Sequence, residues 1–218
     1  MRDEDGHLNV FGKNYGLTGF MRGLEVAPRI ERIFTGDLLE AKSRPFNVAV
    51  AGCSTGQEVW SYALLCASNQ FSDFKVDGYD LYEERLKVGR KGVYPAIWNY
   101  QQLFVEDKRI APGLISVVQG TDTREMRFAD SVRARVGFRQ HDFSISPFPV
   151  PYDLIIATNV LYQKQEGGKK NALLNLLRSL KQGGILVHND SDALMLPEDS
   201  DLVGRVNAPL MKELGLRV

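Results

Sequence analysis

The sequence predicts an α/β protein built on one open, mostly parallel sheet. Strand-like and helix-like segments alternate from residue 46 to residue 188. The leading strand, FNVAVA, is an unbroken apolar run, as expected of a strand covered on both faces. It passes directly into a loop with two glycines, Gly52 and Gly56. Ligands of such sheets sit beyond the carboxyl ends of the strands, so functional residues are expected just after each strand.

Residues 1–23 are glycine-rich and irregular. A helix is expected from about Glu25 to Ala41, with Ile30, Ile33, Phe34, Leu38 and Leu39 as its apolar positions. Phe46–Ala51 is the first strand, and a helix follows from about Glu58 to Ser68. Lys75–Tyr79 leads into Asp80 as a second strand, and Tyr82–Lys91 suits a helix stopped by Gly92. Residues 95–135 break the rhythm with Pro95, Pro112, Gly113, Gly120 and short alternating runs such as LISVVQ, the pattern of an insertion with strand content. The alternation then resumes. Val136–Gln140 and Asp153–Ala157 are strands, Asn171–Leu180 is a helix ended by Gly183 and Gly184, and Ile185–His188 is a further strand. A last helix is expected near Ala208–Leu214.

At 218 residues the chain is long enough for one sizeable core. Its 27 basic and 27 acidic residues cancel, so nothing draws it globally toward nucleic acid or an anionic membrane. Its two cysteines, Cys53 and Cys66, form no CxxC pair, and with three histidines in all no metal site is expected. A disulfide framework is not expected either, which favours a reducing, cytoplasmic setting. The acidic start MRDED carries no apolar segment after it and does not read as a signal peptide. No apolar run approaches the roughly 20 residues of a membrane span.

The first strand-end loop, Gly52-Cys53-Ser54-Thr55-Gly56, lacks the Gly-Lys-Ser/Thr of a phosphate-binding loop and the third glycine of a dinucleotide fingerprint. Taken alone, it is also compatible with a plain strand-to-helix turn. Glu58 at the helix start would repel a phosphate and attract an ammonium or sulfonium group; alternatively it complements the helix dipole. Asp80 can accept from both hydroxyls of a ribose, or cap the next helix. Asp142 can accept from an adenine amino group with Phe143 beside the ring, or be a solvated loop acid. Asn159 can hold an amino-acid head group, or be a turn residue. Jointly these positions describe a ribose, an adenine and a cationic amino-acid tail without a phosphate cradle. S-adenosyl-L-methionine fits that description, and NAD and ATP do not.

These residues stand in motifs that resemble the chemotaxis-receptor glutamate O-methyltransferases, the CheR family. AGCSTGQEVWSYAL is similar to the family's AGCSTGEEPYSLA, and DGYDLYEERLKVGRKGVYP to its ATDID…L..AR.G.Y segment. YDLIIATNVLYQ resembles FDLI.CRNVLIYF, and LLNLLRSLKQGGILVHNDSD resembles the family's helix, PGG turn and final strand. The likeness runs from about Leu17 to Asp192 and includes GLTGFMR, similar to N-L-T-x-F-F-R. It implies a Rossmann-like class I methyltransferase fold over residues 45–218, preceded by an N-terminal segment and helix over 1–44. Residues of about 95–135 would be a small β-subdomain able to grip a protein or peptide carboxylate substrate.

The resemblance also implies roles. Thr18, Arg22, Gly52, Glu58, Asp80, Asp142, Phe143, Asn159 and Val160 would bind the cofactor. Arg22 and Tyr162 would face the acceptor. The chain departs from the pattern at Gly16 and Asp142, each in place of asparagine, and at Asp190, where histidine is frequent. The family's helical N-terminal domain is expected to be missing.

The implied reaction is in-line methyl transfer to a carboxylate, yielding S-adenosyl-L-homocysteine. A carboxylate acceptor is ionised near pH 7 and needs no general base, so catalysis would rest on alignment. Arg22 would orient the acceptor through charge-assisted hydrogen bonds, and Tyr162 would offer one more. Two alternatives remain: a methyltransferase of a small molecule, with His141 or Asp190 as base, or a non-catalytic module that binds S-adenosylmethionine or S-adenosylhomocysteine and docks a partner.

Overall fold

The computed structural model describes Phe20 and residues 43–96, 110–120, 124–158, 160–161, 166–188 and 203–205. The expected helices over 25–41 and 208–214 lie outside these residues.

Strand β1 (Phe46–Ala51) is followed by helix α1 (Gln57–Ser68), strand β2 (Phe74–Asp80) and helix α2 (Glu83–Lys91). Three short strands come next: β3 (Val93–Pro95), β4 (Ile115–Gln119) and β5 (Arg124–Phe128). A single-turn helix α3 (Asp130–Arg133) leads into β6 (Val136–Gln140) and β7 (Tyr152–Ala157). Helix α4 (Glu166–Arg178), β8 (Leu180–His188) and β9 (Val203–Arg205) complete the order. The main sheet has six strands in the order β6-β2-β1-β7-β8-β9, with β9 alone antiparallel to its neighbour. The chain winds outward from β1 through β2 to β6, then crosses back to β7 and β8. The switch point therefore lies between the carboxyl ends of β1 and β7.

Alternation within the apolar strands feeds two cores. Val48, Val50, Val76, Leu154 and Ile156 pack with Val59, Ala63 and Leu64 of α1. Ala49, Ala51, Tyr79, Ile155, Ala157 and Leu186 pack with Leu173, Leu176 and Leu177 of α4. The α4 face also buries a carboxylate, Asp77. Its Oδ2 accepts from Tyr152 Oη at 2.9 Å, Lys75 Nζ lies 3.7 Å from its Oδ1, and the Tyr79 and Tyr152 hydroxyls lie 2.6 Å apart. Burial pushes the Tyr152 phenol far above its ordinary range, so Tyr152 stays a donor.

The end of α4 differs from the sequence expectation. The helix begins at Glu166 and stops at Arg178, and Leu180 already pairs with Tyr152 in the sheet. Gly183 and Gly184 do not end a helix. They belong to a bulge in β8, where the register jumps from Leu180 opposite Tyr152 to Ile185 opposite Leu154. Gly183 takes φ 74°, which the bulge requires. The bulge brings Lys181 Nζ to 2.7 Å from Asp153 Oδ2. Asp153 is 3% exposed and also accepts from Arg44 Nη1 at 2.6 Å and from the Asn47 backbone N–H at 2.8 Å.

Burial opposes the charge on Asp153, but the Asn47 N–H, Lys181 and Arg44 prevail and hold its carboxyl below the usual range. A carboxylate depressed in the fold contributes stability above its unfolded value of about 3.9, and loses it as pH falls through the folded value. Asp153→Asn is therefore expected to cost about 1–3 kcal/mol at pH 7. The gap from wild type should close below about pH 4, as read by urea unfolding across pH.

The expected insertion forms its own antiparallel sheet, ordered β3-β5-β4. It sits on α1 through Trp60, whose ring stacks on Phe128 with centroids 4.4 Å apart and planes parallel. Arg133 of α3 donates to the carbonyls of Lys91 and Gly92 at 3.0 and 3.4 Å, so the way into the subdomain is tied to the way out.

Candidate cofactor and active site

The loop after β1 is shaped by left-handed residues: Gly52 (φ 65°), Ser54 (φ 51°) and Gly56 (φ 91°). Gly56 lies at the start of α1, where a Cβ would come within 2.6 Å of the Phe138 ring and 3.0 Å of Gly89 Cα. Two acceptors on β2 fix the loop's path. Cys53 N donates to Tyr79 O at 2.9 Å, and Ser54 N donates to Asp80 Oδ2 at 2.8 Å. The other oxygen, Asp80 Oδ1, accepts from Tyr82 N at 3.0 Å. Asp80 thus clamps two strand-end loops together. It forms a local turn before α2, while Tyr82 is the residue at the helix cap.

Glu58 and Trp60 are two residues apart on α1, about 200° around the helix, and point different ways. Trp60 faces the β-subdomain. Glu58 is 5% exposed and turns toward the end of β7, where Thr158 Oγ1 donates to its Oε1 at 3.0 Å. This bond spans the switch point. Val160 does so as well: a Cβ on Gly52 would sit 2.2 Å from Val160 Cγ1, so the loops after β1 and β7 touch only because residue 52 has no side chain.

After β6, Asp142 Oδ1 accepts from Ser144 N at 2.9 Å and Ser144 Oγ at 2.5 Å, and its backbone carbonyl accepts from Ile145 and Ser146. The Phe143 ring is 5% exposed and packs edge-on to Phe148 in the α4-side core, while its carbonyl accepts from Asn175 Nδ2 at 3.0 Å. His141 Nε2 lies 3.0 Å from Ser146 O, so that nitrogen carries a proton, and the ring packs against Tyr79 and Phe148.

The structure thus brings together Gly52, Glu58, Asp80 and Val160 at the switch point, with Asp142 and Phe143 on the neighbouring loop. Thr18, Arg22, Asn159, Tyr162 and Asp190 lie outside the described residues. Sequence reasoning assigned no role to Thr158 or Tyr94. Thr158 stood in a strand-end loop, which was its only signal. Tyr94, which reaches the loop from β3, was marked by its place in the G-x-Y of the second motif.

The chemistry of this site fits S-adenosylmethionine. A buried carboxylate at the start of α1 excludes a diphosphate seat. Among the described residues, Ser54 Oγ in the loop and Gln57 Nε2 at the start of α1 are buried without a hydrogen-bond partner, as expected of polar groups that a ligand satisfies. Cys53, alongside them, is inert. Burial first, then the charges of Asp80 and Glu58, push its thiol well above the ordinary range. Among the described residues no cluster of His, Cys, Asp and Glu is suited to a metal ion.

A sheet wound both ways from one central strand, closed by an antiparallel last strand and carrying acids rather than a phosphate cradle at its switch point, defines the class I S-adenosylmethionine-dependent methyltransferases. The family profile described as CheR methyltransferase, SAM binding domain, matches residues 16–208. The chain belongs to this family and is a CheR-type S-adenosylmethionine-dependent methyltransferase. It is 26% identical to a chemotaxis protein methyltransferase of Listeria monocytogenes serovar 1/2a, over 85% of this chain and 68% of the relative. It is 25% identical to a chemotaxis protein methyltransferase of Vibrio parahaemolyticus serotype O3:K6, over 80% of this chain and 64% of the relative. Among solved structures, the glycopeptide N-methyltransferase MtfA complexed with S-adenosyl-L-methionine aligns with a TM-score of 0.47 and 15% identity, covering 83% of this chain and 58% of that one. No helix among the described residues is long and apolar enough to cross a membrane.

Proposed function

We propose that this enzyme methylates a protein carboxylate, the side chain of a glutamate, in the reducing interior of the cell. In this reading residues 45–218 form the methyltransferase domain, and the insertion of about 95–135 docks the acceptor polypeptide. The observation that supports the cofactor's place is the pair of buried acids, Glu58 and Asp80, held at the switch point by Thr158 and by the Ser54 and Tyr82 amides, while the acceptor follows from the likeness to chemotaxis protein methyltransferases. When bound, S-adenosylmethionine supplies a methyl group on a sulfonium centre. Glu58 binds the cationic end, and Asp80 accepts from the ribose hydroxyls. Gly52 and Val160 form the floor, and Asp142 with the backbone of Phe143 holds the adenine edge. Thr18 and Asn159 complete the pocket, while Arg22 and Tyr162 orient the acceptor.

The chemotaxis methyltransferases among the relatives support a protein substrate. The free, buried thiols of Cys53 and Cys66 suit a reducing compartment.

The test is incubation with methyl-labelled S-adenosylmethionine and glutamate-bearing receptor peptides, followed by mild base. Methyl esters release the label as volatile methanol. Base-stable label on the peptide, or label transferred only to small molecules, would overturn the protein-carboxylate reading.

A further inference from the structure

The loop after β1 is gripped from a second side, by the β-subdomain. Tyr94 of β3 is 1% exposed, and its Oη donates to the carbonyl of Thr55 at 2.6 Å. The ring is wedged edge-on between Phe20, with centroids 4.9 Å apart, and Phe128 at 6.1 Å. Phe128 in turn stacks on Trp60 in the opening turn of α1. The β3–β5 pair therefore meets the cofactor loop at the Thr55 carbonyl and meets the helix directly after it.

The Thr55 carbonyl belongs to the peptide that leads into Gly56. A glycine with φ 91° allows that peptide plane either of two orientations. The Gly56 N–H donates to Cys53 O at 2.9 Å and the Thr55 carbonyl accepts from Tyr94, so one orientation is held from both ends of the peptide. Burial pushes the Tyr94 phenol far above its ordinary range, with a hydrogen bond from Trp60 opposing, so Tyr94 remains a donor throughout the working pH range.

We propose that Tyr94 is a positioning residue for cofactor binding: its hydroxyl fixes the Thr55–Gly56 peptide, and through that bond cofactor occupancy and the order of the β-subdomain are coupled. The proposal rests on the loop after β1 being the seat of S-adenosylmethionine. Coupling of this kind is reciprocal, so whatever the subdomain contributes to cofactor affinity the cofactor returns to the subdomain. The cofactor would then ready the acceptor-docking surface before the acceptor arrives.

The experiment is calorimetric titration of wild type, Tyr94→Phe and Asp80→Ala with S-adenosylhomocysteine, together with hydrogen exchange of wild type and Tyr94→Phe with and without it. Tyr94→Phe keeps the ring and removes only the hydroxyl. Its dissociation constant is expected to rise about three- to tenfold, the usual worth of one neutral hydrogen bond. In wild type, S-adenosylhomocysteine should slow exchange in β3 and β5, and in Tyr94→Phe that slowing should be lost. A residue that merely packs would lower the melting temperature and leave both readouts unchanged. An unchanged dissociation constant in Tyr94→Phe overturns the proposal. So does wild-type exchange in β3 and β5 that ignores the ligand, a result that needs no variant to fold. Failure of wild type to bind, or binding that survives Asp80→Ala, overturns the cofactor seat itself and the proposal with it, an outcome distinct from Tyr94→Phe behaving as wild type.

Discussion

Asp80→Ala is expected to lower affinity for S-adenosylmethionine and S-adenosylhomocysteine by a hundredfold or more. The carboxylate is 6% exposed and already holds the Ser54 and Tyr82 amides. Each of its oxygens has a further lone-pair direction with which to accept from a ribose hydroxyl. Hydrogen bonds to a charged group contribute about 1.5–3 kcal/mol each, so losing two from the ligand gives about 3–6 kcal/mol. The variant should also lose about 1–3 kcal/mol of ligand-free stability, because the buried Ser54 N–H is left without an acceptor while the part-buried Tyr82 N–H turns to water. The two effects separate experimentally. Unfolding of the unliganded variant reports the loop clamp, and the missing ligand-induced rise in melting temperature reports the ribose contact. A variant that is destabilised but binds with wild-type affinity would place the cofactor away from Asp80 and overturn the seat.

Gly52→Ala should be nearly as damaging for a different reason. Residue 52 sits at φ 65°, which costs an alanine about 1–2 kcal/mol. Its new methyl would also lie 2.2 Å from Val160 Cγ1, an overlap that must push the loops after β1 and β7 apart. Overpacking of this kind costs about 1–3 kcal/mol, for a total near 2–5 kcal/mol by chemical unfolding. Adding Val160→Ala removes the closest atom and leaves Cβ at 3.2 Å, so the double variant should recover part of the steric share and none of the backbone share. Equal stability of the single and double variants would show that Val160 is not what Gly52 makes room for.

Much of this arrangement was legible in the chain. FNVAVA and DLIIA are apolar on both faces because β1 and β7 are central strands, and the loops that follow them could be placed without coordinates. The glycines at 52 and 56 marked a turn or a ligand loop, but not what they make room for. That partner, Val160 for one and Phe138 for the other, comes from segments about a hundred residues away. Likewise Glu58 stands in the first turn of α1, where it complements the helix dipole, and its second partner, Thr158 across the switch point, is a hundred residues away in the chain. Phe143 beside Asp142 suggests a ring for an adenine; the ring's packing in the α4-side core and its carbonyl's bond to Asn175 Nδ2 join segments that the sequence keeps apart. The β8 bulge was hidden because Gly183-Gly184 after a helical run looks like a stop signal, while the anchor that makes it a bulge, Asp153 to Lys181, is not local. β9, which pairs with β8 through three residues, was too short to register as a strand.

The meeting of Lys91, Gly92 and Arg133 makes the inserted subdomain modular. Its two ends are held at one guanidinium, so the sheet below senses a closed staple rather than the length of chain inside it. Doubling a flexible loop whose ends are already fixed costs only about 0.6 kcal/mol. Changes in length between β3 and β5 are therefore absorbed outside β4, whose Ile115 and Val117 pack against the core below.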